Sequence, residues 1–297
     1  MEQINSKQDL INYFEKGCKK ENQLSIGVEH EKFIFDNLTN QRANFEAISK
    51  VFNFLEQFGW KPIKEKDYVI GLSREGQSIT LEPGNQIELS GKKLNSVHLN
   101  CSESYKYLDE LRKACKKLDL KMMSVSFDPF TKLENVPQTP KQRYEIMTKE
   151  MPKDGKLSLH MMYQTCGTQI NLDYISEKDF IKKFKLSSFL VPISTAIFAN
   201  SPIVENSLSG YLSYRSKVWQ NTSRAGLPKI FLEDMDFEKY TDFVINMPLL
   251  FVLKNSKHLN AEGKKFKDFM DGKLSILKNV KPNIVDFKNH LATIFTE

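Results

Sequence analysis

The sequence predicts an α+β fold in which an antiparallel sheet packs against helices. Three segments, 26–35, 78–91 and 165–174, alternate apolar and polar residues, which is the pattern of half-buried strands. Longer segments repeat their apolar residues with helical spacing. Strands and helices do not follow one another in a regular βαβ order, so an antiparallel sheet is the better interpretation.

Segment 78–91 (SITLEPGNQIELSG) predicts two strands joined by a tight turn. Pro83 fixes its backbone φ, and Gly84 supplies a turn position that tolerates positive φ. Successive side chains of a strand point to opposite faces. Glu82 and Glu88 should therefore leave the sheet on the face opposite the aliphatic residues.

Segment 26–35 (IGVEHEKFIF) repeats this arrangement, because Glu29 and Glu31 lie two residues apart and so share one face of a strand. Four carboxylates on these short strands form the first candidate site. On spacing alone, the alternative that they belong to solvated strand faces stays open.

The remaining elements are predicted from apolar periodicity and capping signals. Ser6 is a typical N-cap for a helix over 6–16 that Gly17 ends. Segments 128–140 and 200–228 are predicted to be loops, the first rich in Pro and the second in Ser, Asn and Gly. The other helices are predicted at 45–59, 95–118, 143–152, 177–189, 237–244, 266–270 and 284–295, and the other strands at 69–72 and 121–127.

Composition is typical of a globular protein and argues against several classes. Of 297 residues, 40% are hydrophobic and 27% charged, and the net charge of +6 comes from short, scattered lysine pairs that do not predict a nucleic-acid surface. The chain has no run of about 18 apolar residues and no signal segment at its start, which predicts no membrane association. Four widely spaced cysteines without a CxxC pair argue against a zinc ribbon or a disulfide framework and favour the cytoplasm.

The predicted strands could build an oxygen-rich cage from carboxylates together with Gln169 and Asn171. Such ligands suit Mg²⁺. The sequence has no glycine-rich phosphate loop, so phosphate would be bridged by metal and neutralised by Arg143, Arg215 and Arg224. This combination indicates phosphorylation of a carboxylate by ATP.

Simpler interpretations exist for the same residues. The two amides fit a polar sheet face, and Arg215 and Arg224 fit loop residues that pair with surface carboxylates. Trp219 fits a cover over the core, and Met162 fits the core itself.

Six sequence blocks favour the functional interpretation: GVEHEKFIF, SITLEPGNQIELSG, RYEIM…MP, MMYQTCGTQINLD, ANSP and GYLSYRSKVW. In this order and at these distances, from about Leu10 to the last residue, the chain resembles the glutamate–cysteine ligases of the plant and proteobacterial type. The resemblance implies an ATP- and Mg²⁺-dependent ligase that makes γ-glutamylcysteine in the first step of glutathione synthesis. It also implies a fold similar to the catalytic domain of glutamine synthetase, a curved antiparallel sheet with helices behind it.

The resemblance assigns roles to residues that match the family's blocks. The acids that would face metal and substrate are Glu29, Glu31, Glu82 and Glu88, with Glu82 also catalytic. The polar strand beside the nucleotide and its metal would contribute Gln169 and Asn171. The glutamate carboxylate and the phosphate would be held by Arg143, Arg215 and Arg224, the last two as catalytic residues. The substrate pocket would be formed by Tyr214, Trp219, Thr168 and Met162.

The chain departs from the family pattern at three places. Asn85 stands where the family usually has a second glycine after LEPG, and Asn tolerates a similar backbone conformation. The loop after Trp219 is shorter than usual and lacks the acidic residues that normally precede Arg224. Family members continue past NHLATIFTE, so residues 1–297 are expected to form a single ligase catalytic domain without the family's C-terminal helical portion.

Such a domain would expose the apolar side chains Phe287, Leu291, Ile294 and Phe295. The sequence therefore predicts either self-association or binding of a separate C-terminal polypeptide at this surface. Two alternative functions stay open: a related carboxylate–amine ligase with another amine acceptor, and a non-catalytic chain that binds glutamate or nucleotide as a regulator.

Overall fold

A computed structural model describes residues 2–222, 224, 229–255, 257–277 and 280–294. The helices are α1 (Lys7–Glu15), α2 (Phe45–Leu55), α3 (Val97–Lys117), α4 (Gln142–Glu150), α5 (Ser158–Gln164), α6 (Glu177–Ile197), α7 (Tyr214–Trp219), α8 (Phe237–Asn246), α9 (Phe266–Met270) and α10 (Ile284–Leu291). The strands are β1 (Ile26–Asp36), β2 (Lys61–Glu65), β3 (Tyr68–Arg74), β4 (Gln77–Leu81), β5 (Ile87–Ser90), β6 (Leu120–Met123), β7 (Thr168–Leu172), β8 (Ile203–Val204), β9 (Ser207–Leu208), β10 (Phe251–Lys254) and β11 (Lys257–Asn260).

The main sheet is organised around β1. Strands β2, β3, β4, β5 and β1 are neighbours in that order, and β1 also pairs with β7 through residues 26–30 and with β6 through residues 33–36. All of these pairings are antiparallel, which confirms the predicted type of sheet. The predicted strand–turn–strand unit is also confirmed, because β4 pairs directly with β5.

One face of this sheet is covered by α2 and α3. The apolar stripe of α2 and the aliphatic residues of the sheet are buried together, and this cluster includes Ile48, Val51, Phe52, Leu55, Leu72, Ile79, Leu81, Ile87 and Leu89. Burial of one such side chain contributes about 1.5–3 kcal/mol. Because a slip of one residue would turn these side chains to the other face, their burial fixes the register. The polar residues between them must therefore face away from the helices.

A second apolar cluster joins α1 to α8, α9 and α10. Phe287 is completely buried there, with its ring centroid 5.4 Å from that of Phe266. The prediction of an exposed apolar surface at Phe287 is wrong, because the N-terminal helix and α8–α9 cover it. Leu291 and Ile294 are partly buried, and Phe295 lies outside the described residues.

Several elements differ from the predicted ones. Helix α6 continues past Pro192, although proline removes one backbone donor from a helix. Its C-terminal half is largely exposed, with Phe189 at 58% and Ile193 at 53%. Segment 200–228 is not the continuous loop that its composition predicts, because it contains the β8–β9 hairpin and α7, whose N-cap is Ser213. Within the described part of the chain, no helix has the length and apolar character needed to span a bilayer.

Candidate active site

Four carboxylates meet on the face of the sheet opposite α2 and α3. Glu31 on β1 lies opposite Glu88 on β5, and Glu88 lies opposite Thr80 on β4, so these side chains share one face. Glu29 precedes them on β1, and Glu82 directly follows β4. All four line one cavity of about 490 Å³. The structure therefore brings the acids of the two segments to one common space.

Burial and the neighbouring carboxylates disfavour the charged forms of Glu29, Glu31 and Glu88. Burial, followed by repulsion from Glu82, raises the pKa of Glu88 to about 7. Burial, followed by Glu82 and Glu88, raises the pKa of Glu31 well above its usual range, although its carboxylate accepts a hydrogen bond of 2.5 Å from the Gly167 amide. Burial also raises the pKa of Glu29, against a hydrogen bond from Asn171. A cation in the cavity would relieve this repulsion.

The turn that carries Glu82 differs in one detail from the predicted turn. The residue with a left-handed backbone is Asn85, with φ of 59°, rather than Gly84. Asn is one of the few residues that adopt this conformation at low cost. Gly84 is required for close packing instead, because a Cβ atom there would lie 2.5 Å from the carbonyl oxygen of Tyr163.

Polar contacts that link distant segments hold this turn. The Gln86 side chain accepts a hydrogen bond from the Gly84 amide at 2.8 Å and donates to the Thr165 carbonyl at 3.0 Å. The Arg42 guanidinium donates to the Gly84 carbonyl and forms a buried ion pair of 2.8 Å with Asp128. The turn is therefore anchored to the C-terminal end of α5 and to the loop that follows β6.

Two arginines line the same cavity as the acids. Arg143 lies in the first turn of α4, and its guanidinium lies 5.0 Å from the ring centroid of Tyr144. Arg215 lies on α7, 4.8 Å from the ring centroid of Trp219. A Cβ atom at Gly167 would lie 3.1 Å from Nη2 of Arg215 and 3.7 Å from Oε2 of Glu31, so the guanidinium and the carboxylate approach the same point.

Most of the other predicted residues also reach this cavity. Met162, Thr168, Gln169 and Trp219 are part of its lining. Asn171 instead lines an adjacent cavity of about 250 Å³ and donates a hydrogen bond of 3.3 Å to Glu29, which borders both cavities.

Tyr214 and Arg224 do not line either cavity. The ring of Tyr214 packs edge-on against Phe127, with centroids 4.9 Å apart. The Arg224 guanidinium donates to the carbonyl groups of Pro248 and Thr293 and to the Thr293 hydroxyl. The structure therefore does not bring Arg224 to a phosphate site, because its donors are used to hold the C-terminal segment that forms one wall of the cavity.

The donor atoms of the cavity suit Mg²⁺, although they are not assembled into a finished cluster. Among the described residues, no three carboxylate, imidazole or thiol groups already converge on one point. Mg²⁺ usually keeps several water ligands and takes only one or two carboxylates together with substrate phosphates. The hard oxygens of the four acids, and the repulsion between them, therefore fit such an ion.

Sequence reasoning missed several residues that build the site. Gln86 could have been found, because it is part of the LEPG-x-Q block. No sequence pattern predicts the Arg42–Asp128 ion pair, since the two residues are 86 positions apart and both lie in loops. Asn289, Ala292 and Thr293 line the cavity from the C-terminal segment, whose sequence predicts only an apolar surface.

Comparisons with known proteins place the chain in a family. The family model described as Glutamate-cysteine ligase family 2 (GCS2) matches residues 25–297. The chain is 43% identical to the chloroplastic glutamate–cysteine ligase of Nicotiana tabacum, over 98% of this chain and 57% of that protein. It is 42% identical to the enzyme of Medicago truncatula, over 98% and 58%, and 43% identical to enzyme A of Oryza sativa subsp. japonica, over 98% and 60%.

These relatives also correct and limit the interpretation. All three are named chloroplastic, which contradicts the predicted cytoplasmic location. Cysteine usage separates reducing from oxidising compartments, and it cannot separate the cytoplasm from a plastid. The chain spans between 57% and 60% of the length of these three proteins. The match over residues 25–297 and the identity over nearly the whole chain show that this chain belongs to glutamate–cysteine ligase family 2.

Proposed function

We propose that this chain carries the active site of a ligase that joins the γ-carboxylate of glutamate to the amine of cysteine at the expense of ATP. One observation carries the proposal: four carboxylates of one sheet face and two arginines line the same cavity. Acids that can hold a metal–nucleotide complex, beside guanidinium groups that can hold carboxylate and phosphate, are the parts that phosphorylation of a carboxylate needs. The named relatives, all glutamate–cysteine ligases, support the choice of substrates.

We further propose that residues 1–297 act as one catalytic domain with a fold like that of glutamine synthetase. The antiparallel sheet supports this, because helices cover one of its faces and the acids lie on the other. Gln169 and Asn171 would border the nucleotide and its metal. Trp219, Thr168 and Met162 would form the wall of the amino-acid pocket.

In the proposed reaction, Arg143 and Arg215 bind and orient the anionic groups. A γ-carboxylate oxygen of glutamate attacks the γ-phosphorus of ATP, the bond to the β-phosphate oxygen breaks, and ADP leaves. The amine of cysteine then attacks the acyl carbon of γ-glutamyl phosphate, loses a proton, and expels phosphate. The guanidinium groups lower the cost of the charge that develops on the transferred phosphoryl oxygens.

Glu29, Glu31, Glu82 and Glu88 would hold Mg²⁺ in this scheme. The bound ion would supply charge neutralisation and alignment for the phosphates of ATP. The sheet contributes rigidity, because three of the four acids lie on strands whose register is fixed by buried aliphatic residues.

The experiment measures ADP release by the purified chain with Mg²⁺, ATP and glutamate, in the presence and absence of cysteine. Glu82→Gln and Glu88→Gln should lower cysteine-dependent turnover by at least about 100-fold, the upper range for loss of a group that supports a metal site. Glu46→Gln is the matched control, because Glu46 is an exposed acid of α2 that pairs with Lys50 on the surface. It should leave turnover unchanged.

The acceptor is tested in the same assay. Turnover that requires cysteine supports the proposal, whereas turnover with another amine alone would indicate a related ligase. A folded chain that binds ATP and releases no ADP under any of these conditions would contradict the proposed activity for this chain.

A further inference from the structure

Two side chains at the N-terminal end of α4, Lys141 and Tyr144, hold the peptide unit that precedes Glu82. Nζ of Lys141 donates a hydrogen bond of 2.7 Å to the carbonyl oxygen of Leu81. The phenol of Tyr144 donates a second hydrogen bond of 2.8 Å to the same oxygen. Since this carbonyl and the Glu82 amide belong to one peptide plane, the two contacts fix the backbone on the N-terminal side of Glu82.

The peptide units after Glu82 are held by Thr139, which lies two residues before Lys141. Oγ1 of Thr139 lies 2.6 Å from the carbonyl oxygen of Glu82. The Thr139 amide donates a hydrogen bond of 2.9 Å to the carbonyl oxygen of Pro83. Segment 139–144 therefore binds three successive carbonyl groups, and the peptide planes on both sides of the Glu82 Cα atom are fixed by one short stretch of chain.

Lys141 is an unusual residue for a purely structural contact. It is only 6% exposed, and its hydrogen-bond partners among the described residues, Leu81 and Tyr144, are neutral. Burial of an ammonium group without a direct carboxylate partner is costly. Burial lowers the pKa of Lys141 to about 8, while the Glu82 carboxylate acts in the opposite direction. At neutral pH Lys141 is therefore a buried cation close to the acidic face.

We propose that Lys141 is a positioning residue, which holds the main chain at Glu82 so that this carboxylate is presented to a divalent cation in the cavity. Thr139 contributes to the same clamp from the other side of Glu82. The inference rests on the proposed role of Glu82 in holding Mg²⁺, and it adds a specific task for a side chain that does not line the cavity. It makes an unusual prediction, because removal of a positive charge should weaken the binding of a positive ion.

The experiment is a titration of the full chain with Mn²⁺, followed by electron paramagnetic resonance of the free ion, for the wild type, Lys141→Met and Thr139→Val. Both variants should bind Mn²⁺ about 10- to 100-fold more weakly, as when a group that orients a metal ligand is lost. Lys113→Met is the matched control, since Lys113 carries the same charge on the exposed side of α3. It should bind Mn²⁺ like the wild type.

The sign of the effect separates the clamp from a simple charge effect. If Lys141 acted only as an opposing charge, Lys141→Met would bind Mn²⁺ more tightly and Thr139→Val would bind it unchanged, and this result would overturn the proposal. If Lys141→Met did not fold, Thr139→Val, which changes no charge, would decide alone. A wild-type chain that binds no Mn²⁺ would also overturn it. Binding of Mn²⁺ without ligase turnover would contradict the proposed function and leave the clamp testable.

Discussion

The buried pair of Arg42 and Asp128 allows a quantitative test of how the Glu82 turn is held. The two side chains are 1% and 0% exposed, and Nη1 of Arg42 lies 2.8 Å from Oδ2 of Asp128. Asp128→Asn keeps an oxygen for the amides of Phe130 and Thr131, which it now binds at 2.9 Å, and removes the charge that faces the guanidinium. Removal of one partner of a buried pair costs about 3–5 kcal/mol. This is a large part of a total stability of about 5–15 kcal/mol.

Urea unfolding at neutral pH measures this cost in a double-mutant cycle. Asp128→Asn and Arg42→Met should each lower the free energy of unfolding strongly, because each leaves one buried charge alone. The double variant has no such charge, so it should be more stable than the sum of the single losses by about 2 kcal/mol or more. Additive losses, or a loss below about 1 kcal/mol for Asp128→Asn, would refute the reasoning that this pair bears charge in the interior.

Three further predictions concern stability. Gly84→Ala should lower the free energy of unfolding by about 1–3 kcal/mol through the clash with the Tyr163 carbonyl, and an unchanged urea midpoint would contradict that close approach. Asn85→Ala should lower the free energy of unfolding by about 1–2 kcal/mol, because alanine adopts the left-handed backbone of this position at a cost that Asn avoids. Asn85→Gly should not lose this backbone contribution, and equal urea midpoints for the two variants would argue against backbone strain. Burial lowers the pKa of His290 to about 4 from 6.5, so the unfolded chain takes up the proton first as the pH falls. The contribution of neutral His290 is lost as the pH falls, while the raised pKa values of Glu31 and Glu88 act in the opposite direction in every variant that keeps them. From pH 7 to pH 5 the wild type should therefore lose about 2 kcal/mol relative to His290→Leu in urea unfolding, and a constant difference between the two would contradict the buried neutral histidine.

Local patterns predicted the parts of the fold that depend on local chemistry. Alternation alone predicted β1 and the β4–β5 pair, because burial of one face imposes a period of two on the sequence. Ser6 predicted the start of α1, and its side chain does accept a hydrogen bond from the Asp9 amide. The acids Glu29 and Glu88 could be assigned to one face for the same reason.

Features that depend on distant segments could not be predicted in this way. The continuation of α6 past Pro192 is an exception to a local rule, since proline removes one backbone donor from a helix, and the contacts of the described residues do not explain it. Arg224 was assigned to phosphate by resemblance, whereas its guanidinium contacts the Thr293 carbonyl, 69 residues away in sequence. No pattern within a short window reports a partner at that separation.

Strand β1 pairs with β5, β6 and β7, so its pairings determine the order in which the acidic face forms during folding. The β4–β5 pair joins neighbours in sequence, whereas the contact between Glu31 and the Gly167 amide spans 136 residues. Pairings across such separations form slowly, because the loop must close before the contacts stabilise it. We therefore expect the β4–β5 part of the acidic face to form early in folding. The site should become able to bind substrate only when β7 pairs with β1. Competence should appear in a single late kinetic phase, together with protection of the Glu31 and Gly167 amides from hydrogen exchange.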